Sequence, residues 1–339
     1  MTEAVATTGE RPPGSWRQVG FALAGYLLLP VVPIFRSIIP IEQTLLLLVP
    51  VIAVCTILGW RLGGRPVLAI VWSLLAGWIL MQHAGAAGTP YDGLARGWAL
   101  LLAGSFGLLS LWSSALPFFV RALASVALAA GAAFVLVAAS PGGVGRVQRA
   151  AGSEFTRRST QSIAALRQVA ETRRWREWAA KSPGIDEIAE QSESQLRAVP
   201  SHSASMLPAL LGLESLVALA LGWGVYHRLS TQQIGPTLGP LRDFRFNDQL
   251  VWGVAVGATL FLLPPFADGK NTGLNLLLFF GGLYLVRGIG IMAWMSRGRV
   301  VFIAVVALAL LAWPLLGALA LALGLGDTWL DWRRRARAS

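Results

Sequence analysis

Charge is what this chain lacks most. Only 13% of its 339 residues are Asp, Glu, Lys or Arg, about half the roughly 25% of an ordinary soluble domain. That deficit excludes a fold solvated on all sides, which needs charged side chains spread over its surface. Cysteine is nearly absent: Cys55 stands alone inside an apolar run, so there is no intramolecular disulfide framework and no thiolate metal site. Histidine is scarce too. His83, His202 and His227 lie far apart, with no second His or Cys at ligand spacing. Signatures of hydrolytic and phosphate-binding enzymes are missing as well, with no H-E-x-x-H, no G-x-S-x-G and no Gly-Lys-Ser/Thr loop. The expectation is a protein that is not an enzyme and carries no cofactor and no metal.

What the chain has is apolar length. Hydrophobic residues make up 55% of the sequence, and the mean hydropathy is +0.61. The charges collect in short clusters between long apolar runs, as hydrocarbon enforces, because ionised side chains are costly inside a bilayer. A spanning helix needs roughly 20 apolar residues. Runs of this kind occupy 19–35, 44–60, 66–81, 98–111, 117–139, 206–226, 250–266, 274–295 and 300–325. The expected fold class is all-α, a polytopic transmembrane bundle of about eight or nine spans with one helical extramembrane loop. Five regions follow: a polar tail at 1–15, a transmembrane block at 16–139, a charged loop at 140–205, a second block at 206–326 and a basic tail at 327–339.

The net charge of +11 does not point to nucleic acid. Most of the arginines flank apolar runs, where the positive-inside bias and anionic head groups place them. Aromatic anchors stand beside them, as in Trp60-Arg61 and Tyr226-His227-Arg228. Pro30, Pro33, Pro50 and Pro314 lie within runs and mark kinks. Orientation stays open, because Arg61, Arg65, Arg228, Arg242 and Arg245 favour a cytoplasmic N-terminus while an odd span count puts the 333–337 arginines outside. In the loop, 146–181 is basic, with Ile163, Leu166, Val169 and Ala170 near one helical face and Trp175 and Trp178 beyond. That pattern fits a helix on the membrane surface. The stretch 185–197 is acidic, and the two could pair as a hairpin or serve as solvated linkers.

Ionisable and amide groups within spans carry the most information, since each needs a partner or a wet cavity. Glu214 and Arg287 are expected to form an ion pair, serving a binding site or simply fixing helix register. With Asn275 and Tyr284 they make up the candidate substrate-binding lining. Gly253 and Gly257 form a G-x-x-x-G step, and Gly281 and Gly288 share a stripe with Tyr284; small residues at this spacing permit close helix packing. Phe244, Phe246, Asn247 and Asp248 form an interfacial motif in which Asn247 or Asp248 caps the following helix. Asp327, Trp329 and Asp331 form a second one.

The segments Phe244-Arg245-Phe246-Asn247-Asp248, Leu283-Tyr284 with Arg287-Gly288, and Asp327-Thr328-Trp329-Leu330-Asp331 resemble the YybS-like family of bacterial multi-pass membrane proteins. The resemblance covers roughly residues 205–335. More distantly, that family is similar to the substrate-binding subunits of energy-coupling-factor vitamin transporters. It implies a helical bundle of the bacterial plasma (inner) membrane that binds a small molecule between helices. It supplies no ligand residues. The expected partners are the lipid bilayer, a small-molecule ligand and a membrane-protein partner, with no nucleic acid. Two functional classes remain: a transport or substrate-binding component, or a scaffold using 146–197 as its partner surface.

Overall fold

A computed structural model describes residues 16–82, 88–112, 116–182, 184–230, 233–295 and 313–333. All regular structure among these residues is helical. The helices are α1 Trp16–Leu28, α2 Pro33–Ile38, α3 Ile41–Arg61, α4 Pro66–Met81, α5 Pro90–Trp112, α6 Phe118–Ala138, α7 Gly143–Ala170, α8 Arg173–Ala179, α9 Ile185–Leu229, α10 Val251–Leu262, α11 Lys270–Met295 and α12 Trp313–Leu330.

Among the described residues, five segments are long and apolar enough to cross a membrane: Ile41–Arg61, Pro90–Trp112, Phe118–Ala138, Ser203–Leu229 and Pro264–Met295. Four further apolar helices are shorter, at Val19–Val31, Pro66–Met81, Asp248–Leu262 and Leu315–Leu330. The expected run 19–35 is not one helix. Pro30 lies in a 3-10 turn after α1, and Pro33 opens α2, since each ring removes a backbone N–H and crowds the preceding turn. Residues 300–312 of the expected last run lie outside the described residues. The outer faces identify the solvent. On α4, Val67, Ile70, Val71, Leu74 and Trp78 are all more than half exposed, and they fall on one helical stripe. Water would penalise such a stripe, whereas lipid tails accept it. The chain is an integral, multi-pass membrane protein.

The described residues divide into two compact units. The first comprises the described residues of 1–205 and 214–238. Its hub is α3, whose apolar window is 72% buried and which packs on α4 and α5. Leu46, Val51 and Cys55 of α3 meet Leu102 and Phe106 of α5 and Trp223 of α9 in one core. Trp223 fixes that core. Its ring lies 5.7 Å from both Phe106 and Phe118, the Arg121 guanidinium stacks at 4.9 Å, and its Nε1 donates to Pro236 O at 3.0 Å.

Helix α9 runs 45 residues without a break, across the boundary expected near residue 205. At about 1.5 Å per residue it is far longer than a bilayer core of about 30 Å. Its polar first half, with Glu187, Glu190 and Glu193, therefore extends beyond its apolar second half. The hairpin reading of the charged loop holds: Arg167 pairs with Glu193, and Ser159 Oγ donates to Leu196 O at 2.5 Å. Helix α7 does more than lie on a surface. Ala150, Ala151, Glu154, Phe155, Arg158 and Ser159 are buried on one face, and α7 packs against α2, α5 and α6.

The second unit comprises residues 206–213 and the described residues of 239–339. Glycine sets its packing. A Cβ on Gly257 would lie 3.0 Å from Leu277 N, one on Gly273 would lie 2.7 Å from Phe261 N, and one on Gly253 would enter the Phe280 ring. A Cβ on Gly288 would fall on the Ala320 carbonyl, and one on Gly324 on the Tyr284 carbonyl, so α11 and α12 touch backbone to backbone. Gly253, Gly257 and Gly288 thus pack as expected. Gly281 does not: nothing lies within 4 Å of a Cβ built there. Gly288→Ala is expected to lower the thermal midpoint of the detergent-solubilised protein, with an overpacking cost of about 1–3 kcal/mol. Gly281→Ala is expected to leave the midpoint unchanged.

Candidate functional site

Two buried polar clusters stand out, one in each unit. The expected Glu214–Arg287 ion pair is not how these residues are satisfied. They belong to different units, and each has its own partners.

In the second unit, Arg287 on α11 is fully buried. Its Nε donates to Asp327 Oδ2 at 3.0 Å, and its Nη1 to Asp248 Oδ1 at 2.6 Å. Arg333 reaches the same Asp327 oxygen at 2.8 Å and donates to the carbonyls of Arg242 and Phe244, each at 3.0 Å. Two guanidinium groups therefore face two carboxylates. Phe246 lies 5.3 Å from the Arg287 guanidinium and 5.0 Å from the Tyr284 ring. Of the two motifs read as interfacial, only Asp327 is buried, while Asn247, Asp248 and Trp329 are exposed; Asp248 and Asp327 both pair with Arg287. Asn247 does supply the cap, accepting from Gln249 N at 3.0 Å. Asp331 pairs with Arg245 at 2.7 Å, and Trp329 stays exposed. Asn275 ties the chain together, its Oδ1 accepting from Ala209 N at 3.0 Å and its Nδ2 donating to Asn271 O at 2.7 Å.

This cluster has the character of a fastening. It joins α11, α12 and the 242–248 segment by charges that balance, and among the described residues no group of three His, Cys, Asp or Glu could hold a metal ion. Asp327→Asn is expected to cost most, about 3–5 kcal/mol, because it leaves two buried cations with one half-exposed carboxylate, Asp248, at 51%. Asp248→Asn is expected to cost much less. Equilibrium unfolding in mixed micelles ranks the two.

The first unit builds a different cluster. Glu214 lies near the middle of the candidate span Ser203–Leu229 and is 4% exposed. Its Oε2 accepts from Gln43 Nε2 of α3 at 2.7 Å, and Gln43 Oε1 accepts from the Tyr91 hydroxyl of α5 at 2.6 Å. Tyr91 carries the chain outward to α7. The Arg158 guanidinium sits 4.8 Å from its ring, and Arg158 Nε donates to Glu154 at 2.8 Å. Gln43 and Tyr91 are the third and second residues of their helices, so the cluster lies at the head of α3 and α5 rather than at their middle. Beside it, Trp98 Nε1 donates to Ser215 Oγ at 2.9 Å.

Three buried oxygens of this cluster have no hydrogen-bond partner: Glu214 Oε1, Thr44 Oγ1 and the Tyr26 hydroxyl. Tyr26 of α1 lies beside Thr44 and within the field of Glu214. Arg158 also attracts Glu214, but its guanidinium is seated on Glu154. A buried polar atom without a partner is uncommon in a native fold and calls for a reason. Of the residues expected to line a site, only Glu214 is in this cluster. Asn275, Tyr284 and Arg287 belong to the other unit.

Glu154 lies outside the candidate spans. Burial is the largest single influence on it and opposes its charge, yet the hydrogen bond from Arg157 and the charge and hydrogen bond of Arg158 outweigh it. They hold the carboxyl below its ordinary value of 4.5. Because the folded value is depressed, its stabilisation is complete above 4.5 and is lost as pH falls through the folded value. Acidification below that point is expected to speed hydrogen exchange in residues 150–159, and Glu154→Gln to remove that acid-dependent step.

Residues 162–328, just under half of the chain, match a family model described as "Predicted membrane protein (DUF2232)", a family in which the YybS-like proteins are included. No curated protein and no solved structure matches the chain. The likeness to energy-coupling-factor subunits therefore gains no support from any relative.

Proposed function

We propose that this chain is a substrate-binding or transport component of a bacterial plasma membrane rather than an enzyme, and that its binding group is Glu214. The observation that carries this reading is the buried carboxylate of Glu214, with one oxygen held by Gln43 and the other unpartnered, and with Tyr26, which neighbours Thr44, within its electrostatic field. Burying polar atoms without partners costs on the order of 1–3 kcal/mol each. A ligand that contacts them recovers that cost on binding. The Arg287 cluster also buries unpartnered atoms, the Tyr284 hydroxyl and Asp327 Oδ1 among them, but its opposite charges pair with one another, whereas Glu214 is held only by the neutral amide of Gln43.

The expectation that Asn275, Tyr284 and Arg287 complete the lining gives way, in this proposal, to Gln43, Thr44, Tyr26 and Tyr91. Helices α1, α3, α5 and α9 each supply part of the site, an arrangement suited to a ligand held between helices.

A thermal-shift screen of the purified protein against a metabolite collection tests the proposal. At least one compound is expected to stabilise the wild type in proportion to the logarithm of its concentration and to have no effect on Glu214→Gln. If no compound does so, or if Glu214→Gln responds equally, the reading is wrong.

A further inference from the structure

We infer that the Glu214 cluster binds a monovalent cation, an inference that rests on the proposed binding role of this site and gives its ligand a charge and a coordination chemistry. The oxygens left without partners are a carboxylate oxygen, Glu214 Oε1, and two hydroxyls, Thr44 Oγ1 and the Tyr26 hydroxyl. Such a set is rich in acceptors. It suits a hydrated cation shedding water onto protein oxygens, or a primary ammonium with three N–H donors to place.

Charge sets the valence. Glu214 brings one negative charge and makes no ion pair among those of the described residues; its single hydrogen bond comes from the neutral amide of Gln43. The surrounding charges are committed elsewhere. Arg158 binds Glu154, and Arg157 binds both oxygens of Glu154 at 2.6 and 3.0 Å. One monovalent cation against Glu214 leaves a neutral site. A divalent ion would leave a buried positive excess, and among the described residues no group of three His, Cys, Asp or Glu could hold a metal ion.

The structure also fixes the geometry of the support. Gln43 is held in one orientation because Tyr91 donates to its Oε1, which directs its Nε2 at Glu214. Gln43 therefore occupies Oε2 and leaves Oε1 as the coordinating oxygen. Thr44 follows Gln43 directly in α3 and is fully buried, and its hydroxyl has only the Tyr26 hydroxyl close by. The titratable and charged groups facing Glu214 are Tyr26 from α1, Tyr91 from α5 and, at longer range, the Arg158–Glu154 pair from α7.

The test is cation-dependent thermal stability of the full-length protein in detergent at pH 8, with ionic strength held by choline chloride. Sodium, potassium, ammonium and methylammonium chlorides are titrated in parallel. At least one is expected to raise the thermal midpoint saturably, and which one does so separates an inorganic ion from an amine. Glu214→Gln is expected to fold and to lose the response. Thr44→Val keeps the carboxylate and is expected to weaken the apparent affinity about tenfold, the loss of one hydrogen bond to a charged group. If no cation outperforms choline, or if the midpoint instead rises only as pH falls, a proton neutralises Glu214 and the inference is overturned. A metabolite of neutral or anionic character that stabilises the wild type through Glu214 would overturn the cation assignment while keeping the binding reading. Failure of both screens would remove the binding reading itself.

Discussion

Desolvation of charge is the constraint on which the rest of this structure depends. With so few ionisable residues, every one placed inside the bundle must find compensation, because an isolated charge removed from water costs several kcal/mol even after relaxation. Around Arg287 the compensation is complete in charge: Asp327 and Asp248 answer it, and Arg333 adds a second cation on Asp327 while donating to the carbonyls of Arg242 and Phe244. Glycine makes this possible. Only without side chains at Gly288 and Gly324 can α11 and α12 come close enough for Asp327 to reach Arg287.

The same constraint meets a different solution at Glu214. Its hydrogen-bond partner is the neutral amide of Gln43, itself held by the Tyr91 hydroxyl, and the Arg158 guanidinium is committed to another carboxylate. The Glu214 cluster is also reached by α7, through Arg158 stacked on Tyr91. The charged loop is thereby part of the first unit rather than an appendage, and its buried face at 150–159 belongs to the same polar thread.

Much of the fold was legible in the sequence because bilayers impose a simple pattern. Run lengths located the helices, Pro66 and Met81 bounded α4 as read, and the basic and acidic stretches pair through Arg167 and Glu193. Prolines 30 and 33 were read as kinks but cut the first run fully. The site was less legible. Glu214 and Arg287 were visible as charges in apolar runs, but hydropathy says nothing about which helix faces which. Their partners hid in segments read for other reasons: Gln43 at the edge of a run, Tyr91 in an apparent loop, Asp248 and Asp327 as interfacial caps. Arg121, buried on the face of Trp223, passed unnoticed because it sits in the first turn of an otherwise apolar run. Pairing of this kind is set by tertiary contact and leaves no local periodicity to detect.

The central claim is that Glu214 is a ligand-contacting group while Arg287 is a structural one. Infrared difference spectroscopy of the reconstituted protein, recorded as the stabilising cation is added and removed, tests it directly. The account predicts a carboxylate band that shifts on addition, persists in Asp327→Asn wherever that variant folds, and disappears in Glu214→Gln. A difference spectrum with no carboxylate feature, or one that survives in Glu214→Gln, would contradict it.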